Sequence, residues 1–375
     1  MSGLIAALFS ILILTWAYRV INWLWLTPKR LERSLNQQGL KGSSYKFLYG
    51  DMKENMEKMK EATSKPINLS DDIAPRLIPH IHWCLQTYGK NSITWLGPKP
   101  RVLLMEPELT KEIFNKISQF HKVRDNPLVR LLATGLVTYD DDKWAKHRKL
   151  INPAFHSEKL KNMLPAFYQS TSELVSIWEN LDFEKGSCEL DVWPDVHNMT
   201  RNVISRTAFG SDYEEGKRVF ELQRELIDLV MQASLSVYIP GWRFVPTKMN
   251  RRMKALNQDI VATLCAMIDK KEKVMTESKT ASGDLLGLLL ESNLREANES
   301  RNKSVGMTLH DVIEECKLFY FAGQETTSVF IVWTLILLSQ HQEWQERARN
   351  EVLEVFGPEK PNLDRVHHLK IVSLQ

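Results

Sequence analysis

The residues best suited to chemistry lie together, late in the chain. Five consecutive polar residues at 324–328 follow the small pair Ala322 and Gly323. Glu325 and Thr326 can hold water and pass protons, while the small pair leaves room for a ligand beside the backbone. Such a stretch suits either a polar contact with another element or a reactive centre. The pattern by itself leaves both interpretations open.

A second candidate is the pair Trp144 and Arg148, which are four residues apart and therefore share one face of a helix predicted over 143–151. A guanidinium beside a planar aromatic ring suits an anionic group on a flat ligand. The alternative is an aromatic ring packed on the arginine stem. The rest of this helix carries three lysines, predicted as a solvated face or as a docking surface for an acidic partner: Lys143, Lys146 and Lys149.

The polar stretch at 324–328 lies within one long predicted helix, from Thr308 to Gln340. Thr308 can cap its first turn, and the following residues include no proline and one glycine. Apolar blocks on both sides of the polar centre favour a core helix. A second membrane span over 318–338 is the alternative, and a carboxylate at its midpoint argues against it.

The remaining pattern predicts a mainly helical protein with a small β-sheet, an α+β fold. Two short strands at 92–96 and 101–105 flank a Gly-Pro-Lys-Pro turn and form a hairpin. A polar loop is predicted at 295–304. Further helices are predicted over 75–88, 107–116, 157–183, 194–209, 214–236, 248–275 and 284–292.

Composition narrows the class of protein. The 375 residues are 43% apolar, enough for one large domain or two. A net charge of +3, with no basic tract containing aromatics, argues against nucleic-acid binding. The cysteines are widely spaced and suit buried thiols in a reduced compartment: Cys84, Cys188, Cys265 and Cys316.

The N-terminus predicts a membrane anchor over residues 1–27, followed by a catalytic body over 28–375. Residues 4–26 are almost entirely apolar, with aromatic residues gathered toward their end. Positive charges at Lys29 and Arg30 then place the body in the cytosol. A cleaved signal peptide is the alternative, but the chain lacks a basic start and a small-residue cleavage site.

These motifs, in this order and spacing, resemble the cytochrome P450 family. The resemblance rests on Trp144-x-x-x-Arg148, on Ala322 to Thr327 far downstream, and on the anchor ahead of both. Residues 143–156 and 238–247 are similar to plant microsomal members of the secologanin-synthase type. The resemblance runs from the anchor to about Ile371.

The resemblance implies a heme-thiolate monooxygenase in the endoplasmic reticulum membrane, with heme b as cofactor. Its electrons would come from NADPH-cytochrome P450 reductase, and its substrate would be a hydrophobic, terpenoid- or steroid-like molecule. Thr326 would hydrogen-bond dioxygen, and Glu325 would help to relay protons. The residues implied to bind or border the heme are Trp144, Arg148, Ala322 and Gly323.

The sequence departs from the family pattern in one respect. In the family, the ExxR helix begins at about residue 370, and the loop that carries the cysteine ligand follows it. We therefore expect the iron ligand to lie beyond Gln375, and no metal ligand is assigned within the chain. The alternative hypothesis is a truncated, membrane-anchored fragment without catalytic activity.

Overall fold

The computed structural model describes residues 2–123, 126–181, 188–210, 213–278, 283–299 and 306–371. The chain divides into two compact units. Unit 1 comprises Met1–His121 and Met231–Phe244, and unit 2 comprises Lys122–Val230 and Val245–Gln375. The anchor at 1–27 and the catalytic body at 28–375 stay predictions.

The helices of the chain confirm the mainly helical prediction. Those that begin in unit 1 are α1 (Ser2–Ile21), α2 (Thr27–Gln37), α3 (Met52–Ser64), α4 (Ala74–Leu77), α5 (Pro79–Tyr88) and α6 (Pro107–Asn115). Those that begin in unit 2 are α7 (Asp141–Ile151), α8 (Ser157–Glu179), α9 (Val192–Ile204), α10 (Tyr213–Ser234), α11 (Lys248–Ser278), α12 (Leu285–Glu299), α13 (Leu309–Gln340), α14 (Gln342–Phe356) and α15 (Leu363–Val366).

Short π-helical and 3-10 helical turns lie at the ends of these helices or between them. π-helical turns follow α1 at Asn22–Leu26 and α9 at Ser205–Phe209. The described 3-10 turns are Val129–Leu131, Gly135–Val137, Asn152–Phe155 and Trp242–Phe244.

Unit 1 contains a small sheet of β1 (Lys41–Gly42), β2 (Ser92–Leu96) and β3 (Lys99–Leu103). β1 runs parallel to β2, and β2 pairs with β3 as the predicted hairpin. The second strand begins two residues earlier than predicted, because Gly97, at φ +57°, closes a turn of only two residues. Pro100 therefore lies inside β3, where an edge strand tolerates it.

Within the described ranges, two helical runs are long and apolar enough to cross a membrane: Ala7–Gln37 and Leu309–Gln340. Most of the described side chains of α1 are exposed, including Phe9, Leu14 and Trp16. The first two turns of α13, in contrast, contain charged residues that are buried in unit 2. Buried charges in these turns disfavour a second span, although only 11% of the most apolar part of α13 is buried in this structure.

Unit 2 is organised around α13, which packs against α9, α11 and the turn at Gly135–Val137. The predicted cap of α13 is confirmed. The Thr308 hydroxyl accepts from the Asp311 amide, and the Asp311 carboxylate accepts from the Thr308 amide.

Two predictions from the sequence are wrong in part. α12 continues to Glu299, where we expected a loop, because an ion pair of 3.0 Å between Arg295 and Glu291 supports one more turn. Residues 300–305 lie outside the described residues. Cys188 is exposed in the irregular segment before α9, and Cys265 is half-buried, whereas Cys84 and Cys316 are buried as predicted.

Candidate functional site

The polar stretch of α13 is divided between two opposite faces of the helix. Gln324 and Ser328 are one turn apart and face α9, with Ser328 fully buried. Ala322 and Thr326 are also one turn apart and are exposed on the other side. This division follows from helix geometry, because residues two apart point about 200° away from each other. Glu325 is half-buried between the two faces.

The inner face is held by a polar cluster with α9. With its amide oriented to satisfy this cluster, the Gln324 side-chain oxygen accepts from His197 Nδ1 at 3.3 Å and from Arg201 Nε at 3.1 Å. Ser328 Oγ lies 3.5 Å from the same His197 nitrogen. Burial lowers the pKa of His197, although the nearby Glu325 carboxylate acts in the opposite direction. Sequence reasoning missed this cluster, because nothing in the spacing links α9 to α13.

Gly323 also lies against α9. A Cβ atom at this position would come within 2.5 Å of Ile204 Cδ1. The missing side chain therefore lets two helix backbones approach closely. The predicted role of Gly323 beside a cofactor stays a prediction, and Ala322 alone of the small pair is exposed on the outer face.

On the outer face of α13, the small residues Ala322 and Thr326 lie between two large ones. Thr326 Oγ1 donates to the carbonyl oxygen of Ala322 at 2.7 Å. Phe319 borders these small residues on one side, and Phe330, which is 71% exposed, borders them on the other. A flat ring system can approach a helix only where side chains are this short. The outer face therefore fits one side of a heme.

On α7, Trp144 is half-buried and Arg148 is exposed, on the same face. Lys122 Nζ lies 5.9 Å from the centre of the Trp144 ring. The Arg148 side chain has no hydrogen-bond or ion-pair partner among the residues that the structure describes. A guanidinium of this kind, beside an aromatic ring, fits a carboxylate such as a heme propionate.

The lysines of α7 agree with the prediction only in part. Lys143 Nζ lies 2.7 Å from Asp311 Oδ1, and Lys146 Nζ donates to the Gly306 carbonyl oxygen at 2.6 Å. Both ammonium groups therefore bind the start of α13. The prediction of a solvated face was wrong for the half-buried Lys146, whereas Lys143 and Lys149 are exposed as that prediction expects. The partners of Lys143 and Lys146 were missed because they lie about 160 residues away in the sequence.

Two buried carboxylates in α13 were also missed. Glu314 and Glu315 are 4% and 0% exposed. Glu315 Oε1 lies 2.6 Å from Nδ1 of His147 on α7, and Glu314 Oε1 lies 2.9 Å from Lys317 Nζ. One feature of the sequence could have indicated that Glu315 belongs near the site. It lies seven residues before Ala322 and therefore shares its face of the helix.

Cys316 does not belong to the outer face of α13. It lies six residues before Ala322, which places it well around the helix from that face, and it is 3% exposed. Burial raises the pKa of its thiol, and the Glu315 carboxylate raises it further. Cys316 is therefore a buried protonated thiol and not a ligand for a group bound at Ala322 and Thr326.

Comparison with known proteins shows the family of the chain. The cytochrome P450 family model matches residues 75–374. The chain is 54% identical to cytochrome P450 CYP72A219 of Panax ginseng over 98% of its own length and 71% of that protein. It is 50% identical to secologanin synthase 1 of Catharanthus roseus over 99% of its own length and 71% of that protein.

A solved structure shares the fold. The retinoic acid-bound cyanobacterial CYP120A1 aligns with a TM-score of 0.67 at 18% identity, over 88% of this chain and 66% of that one. The family model and these relatives define the class as heme-binding oxidoreductases that use dioxygen. The chain belongs to the cytochrome P450 family, whose members are heme monooxygenases.

Proposed function

We propose that the enzyme oxidises a hydrophobic, terpenoid- or steroid-like molecule at the endoplasmic reticulum membrane. Its electrons come from NADPH-cytochrome P450 reductase, and the apolar helix α1 holds it to the bilayer. The similarity to secologanin synthase 1 supports the terpenoid class. The exposed apolar side chains of α1 support the anchor.

The observation that carries this proposal is the outer face of α13, where Ala322 and Thr326 form a flat section open to a ligand. Heme bound against this face supplies the activation of dioxygen. Trp144 and Arg148 hold a propionate of the heme, because a partner-free guanidinium beside an aromatic ring binds a carboxylate with two hydrogen bonds.

Thr326 and Glu325 handle protons beside the heme. The Thr326 hydroxyl, which donates to the Ala322 carbonyl oxygen, also has lone pairs that accept a hydrogen bond from water. Glu325 is half-buried next to it and can exchange a proton with that water. A hydroxyl and a carboxylate placed here would deliver protons once bound heme and substrate cover this face and exclude bulk water.

Replacing Thr326 with alanine tests these roles. In the heme-loaded enzyme, we expect Thr326→Ala to lower the amount of product formed per NADPH consumed by roughly tenfold, because proton delivery becomes unselective. The measurement is product yield against NADPH oxidation. Thr334→Ala is a matched control, since the Thr334 hydroxyl donates to the Phe330 carbonyl oxygen in the same way, two turns later. Equal yields for the two variants would reject the role of Thr326.

Heme binding itself separates the enzyme from a non-catalytic fragment. The reduced protein is treated with carbon monoxide, and its absorption spectrum is recorded. From protein that includes the cysteine ligand expected beyond Gln375, we expect a thiolate-type Soret band, and we expect Arg148→Ala to lower the fraction of that protein that retains heme. A protein that binds no heme would support the fragment hypothesis.

A further inference from the structure

One side of α13 is covered by other residues near its N-terminal end and is exposed farther along the helix. Glu315, Phe319, Ala322 and Thr326 follow one another at spacings of four, three and four, so they lie along the same side of the helix. The end with Ala322 and Thr326 is open. The end with Glu315 is covered by α7 and by residues 134–136.

The covered end is closed by a short contact between two buried side chains. His147 Nδ1 lies 2.6 Å from Glu315 Oε1, and the side chains are 1% and 0% exposed. A carboxylate only accepts, so the imidazole donates from Nδ1. The other ring nitrogen, Nε2, lies 3.8 Å from Asp311 Oδ1, one turn earlier on α13.

Glu315 and the neighbouring Glu314 also hold residues 134–136. Glu315 Oε2 accepts from the Leu136 amide at 3.1 Å, and Glu314 Oε2 accepts from the Thr134 amide at 3.0 Å. Between these amides, Gly135 has φ +66°, and a Cβ atom there would lie 2.7 Å from Glu315 Oε2. The backbone therefore wraps around the Glu315 carboxylate in a shape that glycine permits.

The contact between His147 and Glu315 fixes how α7 is rotated about its axis, and therefore where Trp144 and Arg148 point. Lys143 and His147 are four residues apart and face α13. Trp144 and Arg148 each follow one of them by a single residue and so lie about 100° around the helix. The rings of Phe155 and Phe319, with centres 5.9 Å apart, continue the contact toward Ala322.

We propose that His147 and Glu315 are positioning residues that set the angle and distance between the Trp144/Arg148 face of α7 and the Ala322/Thr326 face of α13. They touch neither heme nor substrate. They determine where a heme propionate lies relative to the hydroxyl and carboxylate that handle protons, and they hold residues 134–136 at the covered end. This inference rests on the proposed function.

Two substitutions at His147 test the proposal. In His147→Asn, the side-chain amide keeps a donor close to the position of Nδ1, whereas His147→Leu removes it. We expect the leucine variant to speed hydrogen exchange of the Thr134 and Leu136 amides by roughly tenfold. We also expect it to lower product per NADPH several-fold, and we expect the asparagine variant to restore most of both.

A reporter of global stability distinguishes positioning from a purely structural role. Ile260 and Leu264 are 0% and 1% exposed in α11, and their amide exchange reports global unfolding. Faster exchange there, equal in size to the change at Thr134 and Leu136, would overturn the proposal. Identical behaviour of the leucine and asparagine variants would also overturn it.

The two readouts separate this proposal from the proposed function. Hydrogen exchange needs neither substrate nor reductase, so a local change at Thr134 and Leu136 supports the link between α7 and α13 even if no product forms. Unchanged exchange together with a lower product yield would overturn the role of His147 and leave the monooxygenase function standing.

Discussion

Each unit contains a buried histidine beside a buried carboxylate, and the two pairs are built differently. In unit 1, His80 Nε2 lies 3.7 Å from Asp51 Oδ2 and 3.6 Å from Cys84 Sγ, while Nδ1 has no hydrogen-bond partner in the described part of the chain. In unit 2, His147 has a carboxylate at each ring nitrogen, at 2.6 and 3.8 Å.

The difference shows how one pair of residue types serves two purposes. Asp51 hydrogen-bonds the Trp95 amide and the Ser43 hydroxyl next to the sheet, and it raises the pKa of His80 to about 9, with help from Cys84. That arrangement makes unit 1 sensitive to pH. The short contact of His147 with Glu315 instead joins two helices and a turn, so its main effect is on geometry and stability.

Glu315→Ala has the largest expected effect. It removes the acceptor of both His147 Nδ1 and the Leu136 amide and leaves those donors buried. We expect the free energy of unfolding to fall by about 3–5 kcal/mol, the usual cost of breaking a buried pair by removing one partner. Denaturant unfolding measures the loss, and a decrease below about 1 kcal/mol would contradict it.

The pH dependence of the His80 pair is expected to be next in size. The pKa of about 9 in the folded protein lies above the usual 6.5, so the protonated form is stabilised by folding. Its contribution, of about 3 kcal/mol, is complete below pH 6.5 and is lost as pH rises through about 9. His80→Asn should flatten the unfolding free energy over this pH range, and an unchanged pH profile would refute the assignment.

The ion pair between Lys143 and Asp311 should have a smaller effect. Asp311 has its pKa lowered to about 2, since hydrogen bonds from Lys143 and Thr308 outweigh burial. The Lys143 side chain is 49% exposed, so solvent screens the pair. We expect Lys143→Met to cost about 1 kcal/mol at neutral pH. It should also raise the Asp311 pKa toward 3.8, which NMR titration of the carboxyl group would follow.

The exposed ion pair between Arg252 and Glu225 should have the smallest effect of these four on the free energy of unfolding. Both side chains are at least 44% exposed. We expect Arg252→Ala to change the free energy of unfolding by less than about 0.5 kcal/mol, because solvent and salt screen such pairs. A loss of unfolding free energy as large as that for Glu315→Ala would show that burial does not determine how much these pairs stabilise the protein.

Local features of the sequence predicted local features of the structure. Thr308 and Asp311 are three residues apart and form the expected cap, and the hairpin of β2 and β3 follows its turn residues. Trp144 and Arg148 share a face because a spacing of four permits little else in a helix. Each of these predictions needed only residues within one element or one turn.

Partners far apart in the sequence could not be predicted in this way. His147 and Glu315 are 168 residues apart, and His197 and Ser328 are 131 residues apart. No periodicity within α7, α9 or α13 encodes which helix lies opposite. The same limit explains why the close packing of Gly323 against Ile204 was not expected.

The approach of Ile204 to Gly323 has a practical consequence for changing the range of accepted substrates. Ile204 lies against Gly323 on the α9 side of α13, whereas Ala322 and Thr326 are exposed on the other side. A smaller residue at 204 would let this segment of α13 move toward α9 and leave more room in front of Ala322 and Thr326, with the polar stretch itself kept unchanged. Libraries aimed at bulkier molecules would therefore vary position 204 before altering the motif itself.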